Sequence, residues 1–186
     1  MSGRMWSSFL PTARPLPVRD RPNRRAQERL RCRYRPHRVR LLFIGESPPA
    51  SGRFFYQQDS GLYRAMFETF QRVDVSVDHA NFLSRFALTG CYLVDLCPEP
   101  VDRLDPARRR AACRAAEAPL ARTIARLRPE TIVSVVRSIE ANVNRAISRA
   151  GWRGDVLRLP YPGRWQRSRT TFGDALTPAV RGLLPR

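Results

Sequence analysis

Lysine is absent from this chain of 186 residues: all 34 basic side chains are arginine, set against 16 acids for a formal charge of +18. Arginine usage this extreme partly records the nucleotide composition of a genome, so it does not by itself argue for bidentate contacts. The net charge stands apart from that, since lysine would have carried the same charge, and it makes polyanions the natural partners, nucleic acid first. Long apolar runs are missing as well. No 18-residue apolar stretch and no amphipathic basic helix stands out, so a membrane is not an expected partner. Histidine is limited to His37 and His79, neither in a ligand pattern, and the only carboxylates that could be guessed to cluster are Glu46, Asp59 and Asp95. Metal-dependent chemistry is therefore not expected. The four cysteines, at 32, 91, 97 and 113, lack the spacing of a zinc knuckle or a redox CxxC site and read as free, mostly buried thiols of a reducing cytoplasm. Neither GxxxxGK[ST] nor GxGxxG occurs, which removes the basis for an ATPase or a dinucleotide enzyme. The opening MSGRMWSSFLPTARP has a short apolar patch but no h-region, and the expected compartment is the cytoplasm, beside the nucleoid if the cell is prokaryotic.

Residues 1–38 hold eleven arginines against Asp20 and Glu28, with Pro11, Pro15, Pro17, Pro22 and Pro36 breaking any long helix. They read as a flexible basic arm with a helical turn or two near Arg24 to Leu30. Residues 39–186 read as one domain. In it, Val39 to Ile44 is a buried strand and Gly61 to Phe70 an amphipathic helix, followed by a short helix around Ala80 to Phe86. The run CYLVDL forms a second strand. Asp105-Pro106 is a helix start with aspartate as N-cap, the helix running to about Leu127 and bent or interrupted at Pro119. A third strand over Thr131 to Val136, a helix over 138–150, a fourth strand in Trp152 to Leu159 and a last helix around Phe172 to Leu183 complete the pattern. This alternation predicts a three-layer α/β/α sandwich around a short, mostly parallel, four-stranded sheet.

The stretch VRLLFIGESPPASGRFFYQQDSGLY, residues 39–63, concentrates the candidate chemistry. Its strand stops at Gly45, so Glu46 and the polar residues after it sit at the carboxyl end of a strand, where open parallel sheets bind ligands. A carboxylate there can orient or deprotonate water, or else cap a turn or pair with an arginine. Phe54, Phe55 and Tyr56 can sandwich a planar base, or form a hydrophobic cluster closing the sheet edge. Asp95 ends the second strand, where it can share the crevice with Glu46 or cap the following turn. Tyr161, Arg164, Trp165, Arg167 and Arg169 combine aromatic wedges with phosphate-positioning guanidiniums, and Arg53 adds another.

Gly45-Glu46-Ser47-Pro48 resembles the first motif of the uracil-DNA glycosylase superfamily, in particular the GEAP form of its iron-sulfur branch, family 4. Gly52-Arg53-Phe54-Phe55 is similar to the GRPF of the same branch, and Pro129 to Val135 to its PxxIVxLG strand, with Val136 at the usual glycine. The resemblance implies a catalytic Glu46, a base-stacking Phe55 and Asp95 near the position that reads the base edge; beside it, Phe54 and Tyr56 stay base-binding candidates for their flat faces, and backbone N–H groups near Ser47 or Phe55 are placed to stabilise the departing base. Leu159-Pro160-Tyr161-Pro162-Gly163 resembles the HPxx segment of the DNA-inserting loop, with Leu159 at the histidine position. No cysteine pair precedes the first strand and Glu117 stands where a ligand cysteine is expected, so no iron-sulfur cluster and no other cofactor is expected.

The resulting expectation is a monomeric, metal-independent DNA glycosylase. It would bind double- or single-stranded DNA, flip out a damaged or deaminated base such as uracil or hypoxanthine, and hydrolyse its N-glycosidic bond. The alternative is a non-catalytic nucleic-acid-binding protein that keeps the glycosylase fold.

Overall fold

The apolar run before Gly45 forms strand β1 (Leu41–Gly45), all five residues of which are buried. In the computed structural model, which describes residues 24–163 and 165–184, β1 lies inside a sheet of order β2-β1-β3-β4. The other strands are β2 (Cys91–Asp95), β3 (Thr131–Ser134) and β4 (Asp155–Arg158). Every pairing is parallel, so the expected mostly parallel sheet is wholly so. Gly45 stands opposite Asp95, and Ile44 opposite both Val94 and Ser134.

Two layers of helices cover the sheet. Helix α2 (Gly61–Val73) begins at Ser60, whose hydroxyl accepts the Tyr63 N–H, and packs on α6 (Gln166–Arg181). Helix α3 (Phe82–Leu88) lies beside β2. Helix α4 (Pro106–Leu127) packs on α5 (Glu140–Ala150). Asp105 caps α4 as the sequence suggests, accepting from the Ala107 and Arg108 N–H groups at 3.0 Å each. Of the two outcomes expected at Pro119, a bend or an interruption, the interruption does not occur: the helix continues through the proline. Leu120, Ala121 and Ile124, all buried, continue the packed face beyond the proline, and such packing offsets the lost backbone bond.

Helix α6 starts six residues earlier than expected. Its buried residues Phe172, Leu176 and Val180 recur every four positions, whereas its first turns, QRSRTT, are polar and give no periodic signal. Helix α1 (Arg24–Arg33) is longer than the turn or two expected there and packs against the short 3₁₀ turn Phe55–Gln57. Residues 1–23 of the basic arm lie outside the described residues. Among the described residues no helix is long and apolar enough to cross a membrane.

The strand order carries the functional consequence. The chain leaves β1 for β2 on one side, then returns past β1 to β3 on the other. The loops after β1 and β3 therefore diverge and open a crevice at their carboxyl ends, the topological switch point of a doubly wound sheet.

Candidate functional site

The loop that leaves β1 is tied down along its length. Leu96 and Cys97 donate backbone N–H groups to the carbonyls of Gly45 and Glu46 at 2.9 and 2.8 Å, which extends the β1-β2 pairing beyond the strands. Farther on, Ser47 Oγ accepts the Val101 N–H at 3.3 Å and Asp102 Oδ1 accepts the Ala50 N–H at 3.0 Å. A reversal with Gly52 at φ +82° then delivers Phe54, whose N–H is held by Asp59 Oδ1 at 2.7 Å. A positive φ at Gly52 favours glycine there. The polar residues after β1 are thus preorganised by bonds to the loop after β2 and to their own continuation.

These bonds shape a crevice of about 510 Å³ at the switch point, lined by Glu46, Ser47, Arg53, Phe54, Phe55 and Asp95, with Val135 and Val136 from the β3 exit and with Tyr161 and Arg169. Residues 46, 55 and 95 therefore face one space although they are distant in sequence.

Glu46 is not a solitary acid. Its carboxylate accepts from Arg109 of α4 through both oxygens, at 2.7 Å from Nε and 2.5 Å from Nη2, a bidentate charge-assisted pair. Its side chain is 14% exposed, enough for water to reach it from the crevice. Asp95 is more deeply placed, and its Oδ2 receives Arg31 Nη2 of α1 at 3.2 Å. Burial pushes the Asp95 carboxyl up to about 6, against the opposing pull of Arg31 and with a push from Glu28 in the same direction as burial. Its Oδ1 lies 2.7 Å from where a Cβ on Gly45 would be. Glycine at the strand end leaves that carboxylate room over β1, where a Cβ would push it aside.

The aromatic trio divides. Phe55, 3% exposed, lines the crevice and packs edge-on against Tyr56, Tyr63 and Phe82, so its ring is a fixed wall. Phe54 also reaches the crevice and carries the Arg31 guanidinium 5.5 Å from its ring centre. Tyr56 does not line the crevice. Its hydroxyl donates to the Leu93 carbonyl at 3.1 Å and accepts the Leu93 N–H at 2.9 Å. Those bonds satisfy backbone groups that the outer strand β2 presents with no neighbouring strand, while Tyr34 stacks on the ring. Tyr56 thus closes the sheet edge, the other arrangement open to this trio.

The DNA-binding candidates divide as well. Arg53 and Tyr161, the latter 52% exposed, both line the crevice from its exposed side. Arg169 lines the crevice with its guanidinium hydrogen-bonded to Gln166 and 3.9 Å from Glu68. Trp165 and Arg167 are exposed but do not line the crevice, and Arg164 lies outside the described residues. Leu159 is 1% exposed, and its N–H donates to the Ser134 carbonyl at 2.8 Å, continuing the β3-β4 pairing. Its side chain belongs to the core and does not line the crevice.

Glu117 is buried and serves α5. It accepts from Asn142 Nδ2 at 2.8 Å and Arg145 Nε at 2.9 Å, and the Arg145 bond, ahead of that from Asn142, holds its carboxyl below the usual range. Cys97 and Cys113 are free thiols, Sγ atoms 3.7 Å apart, and burial pushes Cys97 up to about 12. Among the described residues no three metal-binding side chains gather. Arg31 and Arg109, which set the electrostatics of the crevice, escape sequence reasoning. One sits in the basic segment read as an arm, the other in a run of three arginines, and no local pattern points to partners 64 and 63 residues away. No protein-family model matches the chain, and no curated protein matches it significantly.

Proposed function

We propose that the protein is a DNA glycosylase that hydrolyses the N-glycosidic bond of a damaged or deaminated base, acting as a cytoplasmic monomer. The observation that carries this reading is the convergence of Glu46, Phe55 and Asp95 on one crevice at the sheet's switch point. A space of about 510 Å³ accepts a flipped nucleotide. Phe55, fixed by its aromatic neighbours, offers the base an apolar wall in the crevice. Arg53, Tyr161 and Arg169 at the rim face the strand from which the base is extruded.

In the chemical step a water oxygen bonds to the anomeric carbon as the bond from that carbon to the base nitrogen breaks. The base leaves with the electron pair, and the proton lost by water ends on the released base. Arg109 fixes the orientation of the Glu46 carboxylate, whose oxygens keep further lone pairs to align that water and to face the positive charge that develops on the sugar. Asp95 in its protonated form donates to a carbonyl on the base edge and draws off charge from the leaving group.

The second reading is a non-catalytic DNA-binding protein. It is favoured by the bidentate pairing of Glu46 with Arg109 and by the burial of Leu159 in the core. Oligonucleotides carrying uracil, hypoxanthine, xanthine, methylated or oxidised bases, scored for abasic sites without added metal, separate the two. The glycosylase forms abasic sites on at least one of them. Glu46→Gln then loses about 10²–10⁴-fold in rate while retaining DNA affinity. Cleavage undiminished in Glu46→Gln removes Glu46 from catalysis, and no product from any substrate leaves the binder.

A further inference from the structure

Glu46 borders a second cavity besides the crevice. Between α4 and α5 lies a cleft of about 420 Å³, also lined by Arg109, Arg110, Arg114 and Arg145. Two of these guanidiniums are already matched, Arg109 to Glu46 and Arg145 to the buried Glu117. Arg110 and Arg114 are exposed and have no carboxylate partner among the described residues. They stand four residues apart on α4, neighbours on one helix face, where like charges repel. An anion bridging them offsets that repulsion.

We infer that the α4-α5 cleft is a phosphodiester site that holds the nucleic-acid strand flanking the nucleotide in the crevice. The inference rests on the reading of the crevice as a DNA base pocket and adds a second contact surface, on α4 rather than at the crevice rim. Glu46 belongs to the lining of both cavities, so a strand running from one to the other crosses the Glu46-Arg109 pair. The cleft carries an excess of positive charge even after both ion pairs are counted, because Arg110 and Arg114 remain. Phosphates of a continuous backbone match two cations on one helix face better than an isolated small anion does, since successive phosphates can engage both at once.

The test is the salt dependence of binding to an undamaged, fluorescently labelled duplex, followed by anisotropy between about 50 and 200 mM salt. Each phosphate contact contributes about 0.9 to the slope of log K against log salt on duplex DNA. Arg110→Ala/Arg114→Ala is expected to flatten that slope by about 1.8. Arg122→Ala/Arg153→Ala, which removes the same charge from exposed positions outside the cleft, should change it by less than one contact. Circular dichroism confirms that both variants are folded. Equal slopes for the two variants, or an unchanged slope in the first, overturn the cleft while leaving base excision to be judged on its own substrates. A flattened slope without base excision by the wild type keeps the cleft and removes the glycosylase. Absence of DNA binding by the wild type removes both.

Discussion

Replacing Asp95 by asparagine separates the burial of its charge from its shape. Asp95 sits beneath α1 with Arg31 at 3.2 Å, and its carboxyl moves from an ordinary 3.8 to about 6, a balance that already includes the attraction of Arg31. At about 1.36 kcal/mol for each pH unit, the folded protein prefers the protonated acid by about 3 kcal/mol. Because the folded state binds this proton more tightly than the unfolded chain, the contribution to stability is greatest below 3.8 and is lost as pH rises through about 6. Asparagine keeps the volume and an oxygen for Arg31 but never ionises. Asp95→Asn is therefore expected to be more stable than wild type at pH 8 by up to about 3 kcal/mol, with the advantage fading by pH 4. Urea unfolding followed by circular dichroism at the two pH values measures it. A variant less stable by the same amount at both values would show that the Arg31 ion pair outweighs desolvation, and the protonated-acid role proposed for Asp95 would lose its physical basis. In base excision the same reasoning predicts wild-type activity that declines above about pH 6 and an Asp95→Asn profile that is flatter there.

Two further perturbations probe the frame of the site. Tyr56→Phe removes both bonds to Leu93 from a fully buried position and is expected to destabilise the protein by about 1–3 kcal/mol in urea unfolding. An unchanged midpoint would mean that water or a shifted strand replaces the hydroxyl. Glu117→Gln should lower stability by about 1–3 kcal/mol at neutral pH, since it weakens charge-assisted bonds from Asn142 and Arg145. The Glu117 carboxyl is held below its ordinary 4.5, so that contribution is present above 4.5 and lost as pH falls below it. The gap between variant and wild type should accordingly narrow in acid, and a gap independent of pH would refute an electrostatic origin.

Much of this architecture is written locally. The burst of β-branched and aliphatic residues before Gly45, the Asp105-Pro106 start and the four-residue spacing of Phe172, Leu176 and Val180 each act within a few residues of chain, so composition and period reveal them. The alternation of strands and helices likewise determines a parallel, three-layer fold, because successive parallel strands require crossovers that cover both faces. The position of the candidate loop at a strand's carboxyl end follows from the same reasoning. Other features depend on which strands become neighbours. The order β2-β1-β3-β4 brings Asp95 beside Gly45, seats Arg109 on Glu46 and docks α1 over the sheet edge. It also assigns Phe55 to the crevice, Tyr56 to the outer strand and Leu159 to the core. These choices join residues tens of positions apart through single ion pairs and hydrogen bonds, which leave no period in the chain. The sequence determined that an acid and aromatic rings would meet at a strand end; the tertiary structure decided that the acid is clamped by an arginine and that the second carboxyl is buried, because charge pairing and desolvation exist only once distant segments are packed together.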